Sequence, residues 1–272
     1  MTATEHSAAR TAGPAGPSDW DPAAYGRFRD LRLRPALDLL ARIGAIPDGP
    51  VVDLGCGNGA VGPALASRWP DRPRIGVDSS AAMLAEARAK GGYTSLVSAD
   101  VARWKPDAAP ALIFSNAALH WLADHGVLLP GLARMLAPEG MLAVQMPRQF
   151  FAPSHRFLRD FAAEMFADRF DFAQWQSPVW APSDYHRLLS PFGTVDVWET
   201  EYLQRLAPAE DAHPVRRFTE STIMRPFLDR LSAAETESFV ARYEAALSAA
   251  YPAEADGSVL FPFRRLFVTL VR

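Results

Sequence analysis

At 272 residues, with 49% of them hydrophobic and 22% charged, the chain has the composition of an ordinary globular protein with enough length to bury a sizeable core. A formal net charge of −3 gives no global electrostatic attraction to nucleic acid or to an anionic membrane surface, so a small molecule is the expected partner. The single cysteine, Cys56, cannot close an intrachain disulfide and suits a reducing cytoplasm.

Residues 1–18 carry neither a basic segment followed by an apolar one nor a long apolar run, and read as a disordered tail; residues 19–272 read as one domain. From residue 50 onward strand-like apolar runs alternate with helical patterns. Strands are expected at 50–54, 73–77, 94–98, 110–115 and 140–146, with helices at about 59–69, 80–90 and 125–137. The second helix opens on serines (SSAAMLAEARAK) that can cap exposed amides. This alternation is the sequence form of a doubly wound, mostly parallel α/β sheet. After Met146 prolines and aromatics become dense. A helix near 154–167, a tryptophan-rich loop (QWQSPVWAPSDY), a strand at 194–203, two helices within 211–251 and a last apolar strand at 259–271 follow. Two late strands around a helical insertion predict a sheet finished by an antiparallel pair, with insertions at about 148–190 and 206–258 folded over it as a cap.

The stretch VVDLGCGNGAVG joins the first strand to a helix, with glycines at 55, 57, 59 and 62. Glycines in the first turn of an open parallel sheet let the backbone approach a ligand beyond the strand ends. The spacing does not by itself separate a dinucleotide site from other nucleoside sites. The carboxylate of Asp53, just before Gly55 and Gly57, would face a pyrophosphate unfavourably and an ammonium group favourably. Asp78, with Ser79 beside it, ends the second strand and suits the hydroxyls of a ribose, as it would in a dehydrogenase. Asp100 ends the third strand, where it could accept from the exocyclic amine of an adenine while Met83 and Val101 touch the ring faces. Each acid alone also reads as a turn former or helix cap, and Cys56 as a small buried side chain. Together with the glycines they point to an adenosine bearing an ammonium, S-adenosylmethionine.

The first half resembles the class I S-adenosylmethionine-dependent methyltransferases, and the span from about Ser18 to Arg272 resembles the trans-aconitate methyltransferase family. The likeness rests on DPAAYGRFRDLRLRP, DLGCGNG, GVDSSAAMLAEAR, SNAALHWLADH, MLAVQMP, DVWETEYL and FPFRRLF. It implies a Rossmann-like seven-stranded sheet, one cofactor per chain and methyl transfer to a carboxylate oxygen. It also implies that Asn116 meets the methionine part of the cofactor and that His120 and Trp121 face the acceptor. In the leading segment, Arg32 and Arg34 become candidates to grip substrate carboxylates, with Tyr25 and Phe28 beside them; Arg29, Arg148 and Arg225 are further candidates. Trp175 and Phe218 join the substrate-binding set, and Tyr25, Phe28, Phe150, Phe151, Trp175 and Trp180 could form an aromatic lid or plain core.

Methyl transfer from a sulfonium needs an in-line nucleophile shielded from water more than it needs an acid or a metal, and no metal site is expected. The acceptor half departs from the family pattern, which reads Y-x-H where this chain has Tyr202, Leu203 and Gln204, tryptophan at Phe218 and an acid at Arg217. These departures keep open the C-, N- or O-methylation of an aromatic metabolite, with His120 or Tyr25 as base. A non-catalytic S-adenosylmethionine-binding protein is a further alternative, whereas Asp53 and the glycine spacing speak against a nicotinamide dehydrogenase. A monomer or weak homodimer is expected.

Overall fold

The computed structural model describes residues 29–220 and 222–272, with side chains from Leu33 onward. The predicted tail, the candidates Tyr25 and Phe28, and the side chains of Arg29 and Arg32 lie outside the described residues. The strands are β1 (Val51–Leu54), β2 (Arg74–Asp78), β3 (Ser95–Ser98), β4 (Leu112–Asn116), β5 (Met141–Pro147), β6 (Thr194–Leu206) and β7 (Val259–Val271). They form one seven-stranded sheet in the order β3-β2-β1-β4-β5-β7-β6. β1 to β5 are parallel, and β7 runs antiparallel between β5 and the edge strand β6. The expected α/β class with an antiparallel finish is therefore the observed one. All four residues of β1 are buried, as a strand covered on both faces requires.

The helices are α1 (Arg29–Arg42), α2 (Gly62–Arg68), α3 (Ala81–Lys90), α4 (His125–Met135), α5 (Pro153–Met165), α6 (Pro182–Leu189), α7 (Pro214–Glu220), α8 (Arg225–Leu228) and α9 (Ala233–Ala250). Ser80 caps α3 as expected, its Oγ accepting the Met83 N–H at 3.3 Å. α2 starts later than the pattern predicts because Gly59 turns the chain at φ +74. Two helices escape the sequence reading. α1 hides its period behind three arginines and Pro35, yet buries Ala36, Leu39, Leu40 and Ile43. α6 starts inside the tryptophan-rich loop at Pro182, a residue suited to a first helical turn, and buries Tyr185 and Leu189. The segment 211–251 holds three helices instead of two, and β6 runs on to Leu206.

Register decides which side chains share a sheet face. Asp53 lies beside Gly76 and Phe114, Asn116 beside Gln145, Gln145 beside Phe267, and Pro147 beside Arg265. Because side chains alternate along each strand, Asp53, Asp78, Asn116, Gln145 and Arg265 all belong to one face. α1 packs on that face against Phe114, Ala143, Tyr202 and Phe267. The segments after β5 and between β6 and β7 pack on each other: α5 and α9 meet, and Phe166, Phe218, Phe227, Phe239, Tyr243, Phe261 and Phe263 belong to one buried cluster.

A buried polar knot ties α6 to the turn after β4. His125 Nε2 donates to the Leu119 carbonyl at 2.9 Å, so in the neutral ring Nδ1 accepts from the Tyr185 hydroxyl at 2.6 Å. Burial pushes the His125 pKa down, which keeps the ring neutral. The same hydroxyl accepts the Trp180 N–H at 3.1 Å. Replacing Tyr185 by Phe leaves both groups unpaired in the interior, and the variant should lose about 1–3 kcal/mol of stability in urea unfolding.

Candidate active site

Four glycines in the β1–α2 connection invite the assumption that a ligand crowds all of them. A side chain built at each position gives a different answer. A Cβ at Gly55 would strike Ala118; at Gly59 it would sit 2.8 Å from Ala87, and at Gly62 2.7 Å from the Tyr93 ring. Only Gly57, at φ +52, faces open space with nothing within 4 Å. Of the four, the Gly57 turn is the one with room for a ligand over it, and the other glycines answer to protein packing.

The loop is held from beneath. Gly55 and Cys56 donate to the Val77 carbonyl at 2.8 and 3.0 Å. Asp78 ties it to the start of α3, Oδ2 accepting from Gly57 N–H in the loop and Oδ1 from Ser80 N–H at the helix cap, each at 2.9 Å. Burial, and then the nearby Asp53 and Asp78 carboxylates, push the Cys56 thiol well above its usual range, so it is a packing group and not a nucleophile.

Asp53 is not the open carboxylate at the loop mouth that its sequence position implies. It is 2% exposed, and the Tyr93 hydroxyl donates to its Oδ2 at 2.6 Å. Burial raises its pKa to about 7 against the opposing effect of the Tyr93 bond, with Asp78 adding a smaller upward push. Ser79 is exposed beyond β2, Met83 is buried on α3, and Val101 is half-buried. Asp100 is exposed after β3, its Oδ1 accepting the Ala102 N–H at 2.9 Å. Asn116 ends β4 with a buried Oδ1 that no protein group satisfies. Open space over Gly57, the Asp53 and Asp78 acids, and an acceptor oxygen without a donor fit a ligand rich in donors, such as a ribose with an ammonium group. They do not fit a pyrophosphate.

Beyond the end of β4 lies a second pocket, walled by Pro147, Phe150, Phe218 and Phe263 and bearing His120, His155 and Arg265. His120 sits on the 3-10 turn Leu119–Trp121, 8% exposed, with an Nδ1 that has no partner. Burial foremost, then Arg265, His125 and His155, hold its pKa well below the usual imidazole range. His155 is likewise neutral, its pKa lowered to about 3 by burial and then by Arg159 and Arg265, with Nδ1 3.0 Å from the Ser154 hydroxyl. Arg265 is 4% exposed, its guanidinium 4.2 Å above the Phe263 ring.

Three sequence-predicted acceptor residues meet in this pocket: His120, Trp121, whose exposed ring lies 4.6 Å from the His120 ring, and Phe218. Trp175 packs nearby, 6.5 Å from Phe150 and 5.8 Å from Phe151. Arg34 is not brought there. Its side chain is 72% exposed on α1, 4.0 Å from Asp38 and 5.3 Å from the Tyr202 ring. Arg148 serves the scaffold, bonding Glu199 at 2.7 Å and the Trp180 carbonyl at 3.1 Å. Arg265 and His155 are the residues that the sequence reading missed. Alternation could have found the first: in FPFRRLF, Phe261, Phe263, Arg265 and Phe267 share the buried face while Arg264 is exposed.

A sheet of this order, an acid-and-glycine turn after its first strand, and acids at the ends of the next two strands define a class I S-adenosylmethionine-dependent methyltransferase. Residues 51–140 match the family described as a methyltransferase domain. The trans-aconitate 2-methyltransferase of Methylobacterium nodulans is 46% identical over 258 residues, covering 94% of this chain and 99% of the relative. The chain belongs to the trans-aconitate 2-methyltransferase family. In fold it is similar to the YcgJ protein of Bacillus subtilis, with a TM-score of 0.55 at 15% identity over 88% of this chain and 98% of that one. It is also similar to phosphoethanolamine N-methyltransferase 2 of Haemonchus contortus bound to S-adenosylhomocysteine, with a TM-score of 0.50 at 17% identity over 88% of this chain and 52% of that one.

Two outcomes follow from the cradle. Gly57→Val should unfold at lower urea than the native chain, because a branched residue is strained at φ +52 even though its Cβ meets nothing, and while folded it should lose S-adenosylhomocysteine binding in calorimetry as the branch fills the open space. Asp53→Asn should unfold at higher urea than the native chain at pH 8. Its raised pKa means that ionising the native carboxyl opposes folding, by up to about 4 kcal/mol once the pH exceeds 7. That advantage should shrink toward pH 5, where Asp53 is already neutral in the fold.

Proposed function

We propose that this enzyme methylates a carboxylate oxygen of a trans-aconitate-like polycarboxylic acid. The observation that carries the reading is Arg265, a guanidinium buried in an aromatic pocket beside the cofactor end of the sheet. A guanidinium fork matches a carboxylate in two-point geometry, and in a dry pocket that pairing is strong. An acceptor carboxylate is already ionised at neutral pH and needs no base, which suits imidazoles that burial keeps neutral. His120 then acts as a hydrogen-bonding group that orients the acid, and the rings of Phe150, Phe218 and Phe263 keep water out.

S-Adenosylmethionine supplies an activated methyl group on a sulfonium. On the cofactor side, Asp53 meets the ammonium, Asp78 and Ser79 the ribose, Asp100 the adenine amine, and Met83 and Val101 the ring faces. Gly55 and Gly57 give backbone contact, and Asn116 accepts from the methionine part. Trp121 and Trp175 belong to the acceptor rim. The single domain, residues 19–272, works in the cytoplasm as a monomer or weak homodimer on small molecules and not on nucleic acid; the net charge of −3 and the buried lone cysteine support this. No helix among the described residues is long and apolar enough to cross a membrane.

The test is turnover of trans-aconitate, related acids and a panel of aromatic metabolites, with mass location of the added methyl group. Arg265→Met should raise KM for the acid about 100-fold or more while S-adenosylhomocysteine still binds, since charge-assisted hydrogen bonds are lost only on the acceptor side. His120→Ala should cost less than about tenfold, below the loss of a general base. Turnover of an aromatic acceptor with no polycarboxylic acid methylated would overturn the reading.

A further inference from the structure

The connection between α3 and β3 sends one aromatic ring into the floor of the glycine turn. Tyr93 lies 40 residues from Asp53 along the chain, yet its hydroxyl is 2.6 Å from Asp53 Oδ2. Three glycines make room for the ring. A Cβ on Gly62 would fall 2.7 Å from its Cε2, one on Gly59 3.3 Å from the same atom, and one on Gly76 3.2 Å from its Cδ1. Larger residues at these positions would push the phenol off the carboxylate. Burial, and then Asp53, hold the phenol well above its usual pKa, so the hydroxyl keeps its proton and acts toward the carboxylate only as a donor.

We propose that Tyr93 is a positioning residue for cofactor binding: seated in the socket of Gly59, Gly62 and Gly76, it holds the Asp53 carboxylate in place to receive the ammonium end of S-adenosylmethionine. The inference rests on the reading that Asp53 meets that ammonium. The bond from Tyr93 favours the charged carboxylate against the burial that opposes it. Among the described residues, the titratable groups that face Asp53 are Tyr93 ahead of β3, Asp78 at the end of β2 and Cys56 in the turn. Asp78 opposes the charged form, and the protonated Cys56 carries no charge, so among these three groups Tyr93 is the one that supports it.

The test is calorimetry on the full chain with two probes, S-adenosylhomocysteine and methylthioadenosine, which shares the nucleoside and thioether but lacks the amino-acid end. In the native chain S-adenosylhomocysteine affinity should rise with pH through about 7 as Asp53 ionises, and methylthioadenosine affinity should stay flat. Tyr93→Phe keeps the ring in its socket; it should weaken S-adenosylhomocysteine about tenfold at pH 7, recover by pH 8.5, and leave methylthioadenosine unchanged. Equal losses for both probes, with no recovery at high pH, would reduce Tyr93 to a packing residue. If Asp53→Asn loses affinity selectively while Tyr93→Phe binds as the native chain does, the inference fails and the Asp53 reading stands. If Asp53→Asn itself binds S-adenosylhomocysteine normally, that reading fails first.

Discussion

Asp53 is a carboxylate that the fold takes out of water, and the cofactor end of the molecule is arranged around it. Parallel neighbours on both sides leave no solvent along β1, so an acid there has a pKa near 7 and holds its charge only with help. The help comes from Tyr93, and room for the Tyr93 ring requires glycine at three places in the turn, its helix and β2. One electrostatic need thus fixes several sequence positions that look like ligand contacts. Because burial disfavours the ionised form in the free protein, a ligand with a positive end must offset that cost on binding, and the Tyr93 bond lowers it.

The acceptor side inverts the sign. Asp53 and Asp78 give the glycine turn its negative character, whereas the neighbouring pocket carries Arg265 between imidazoles that cannot share the positive charge. Both ends occupy the same sheet face, set by the register from β2 through β1, β4 and β5 to β7. Along this face the acids of β1 and β2 and the buried guanidinium of β7 lie on opposite sides of Asn116 on β4. Insertion of β7 between β5 and β6 is what brings Arg265 beside Pro147, so the antiparallel strand belongs to the site as well as to the sheet.

Much of this fold is written in local pattern. Strand signals marked all seven strands to within a few residues: β1, β4 and β5 are buried along nearly their whole length and read as apolar runs, whereas the edge strand β6 alternates. α1 and α6 were harder: Pro35 and a run of arginines mask one, prolines and tryptophans the other, and tertiary burial of Leu39 or Tyr185 reveals what propensity conceals. At the site, the acids at the strand ends were readable since they lie next to their turns. Arg265 was readable in principle from alternation and was passed over in favour of Arg34, which shares a motif with the family but faces solvent. Tyr93 could not be read at all, for its meaning lies in a bond to a residue 40 positions away.

The departures from the family pattern can now be weighed by where they fall. Phe218 lines the acceptor pocket at 4% exposure, so a smaller ring there enlarges the space opposite Arg265 without touching the charge. Gln204 is buried on the same sheet face as Tyr202 and Phe263, and both polar atoms of its amide lack a protein partner. Arg217, by contrast, points its charge at Asp211 and Glu220 on the surface of the cap. Two of the three changes thus alter the shape and hydrogen bonding of the acceptor end, and none removes the buried guanidinium. Arg265 keeps its guanidinium buried among Phe150, Phe218 and Phe263, where a carboxylate of the proposed acceptor would find a charge-assisted partner. A buried guanidinium beside Phe218 and the unsatisfied amide of Gln204 fits the proposed acid acceptor, with the charge supplied by β7 and the outline by the residues around it.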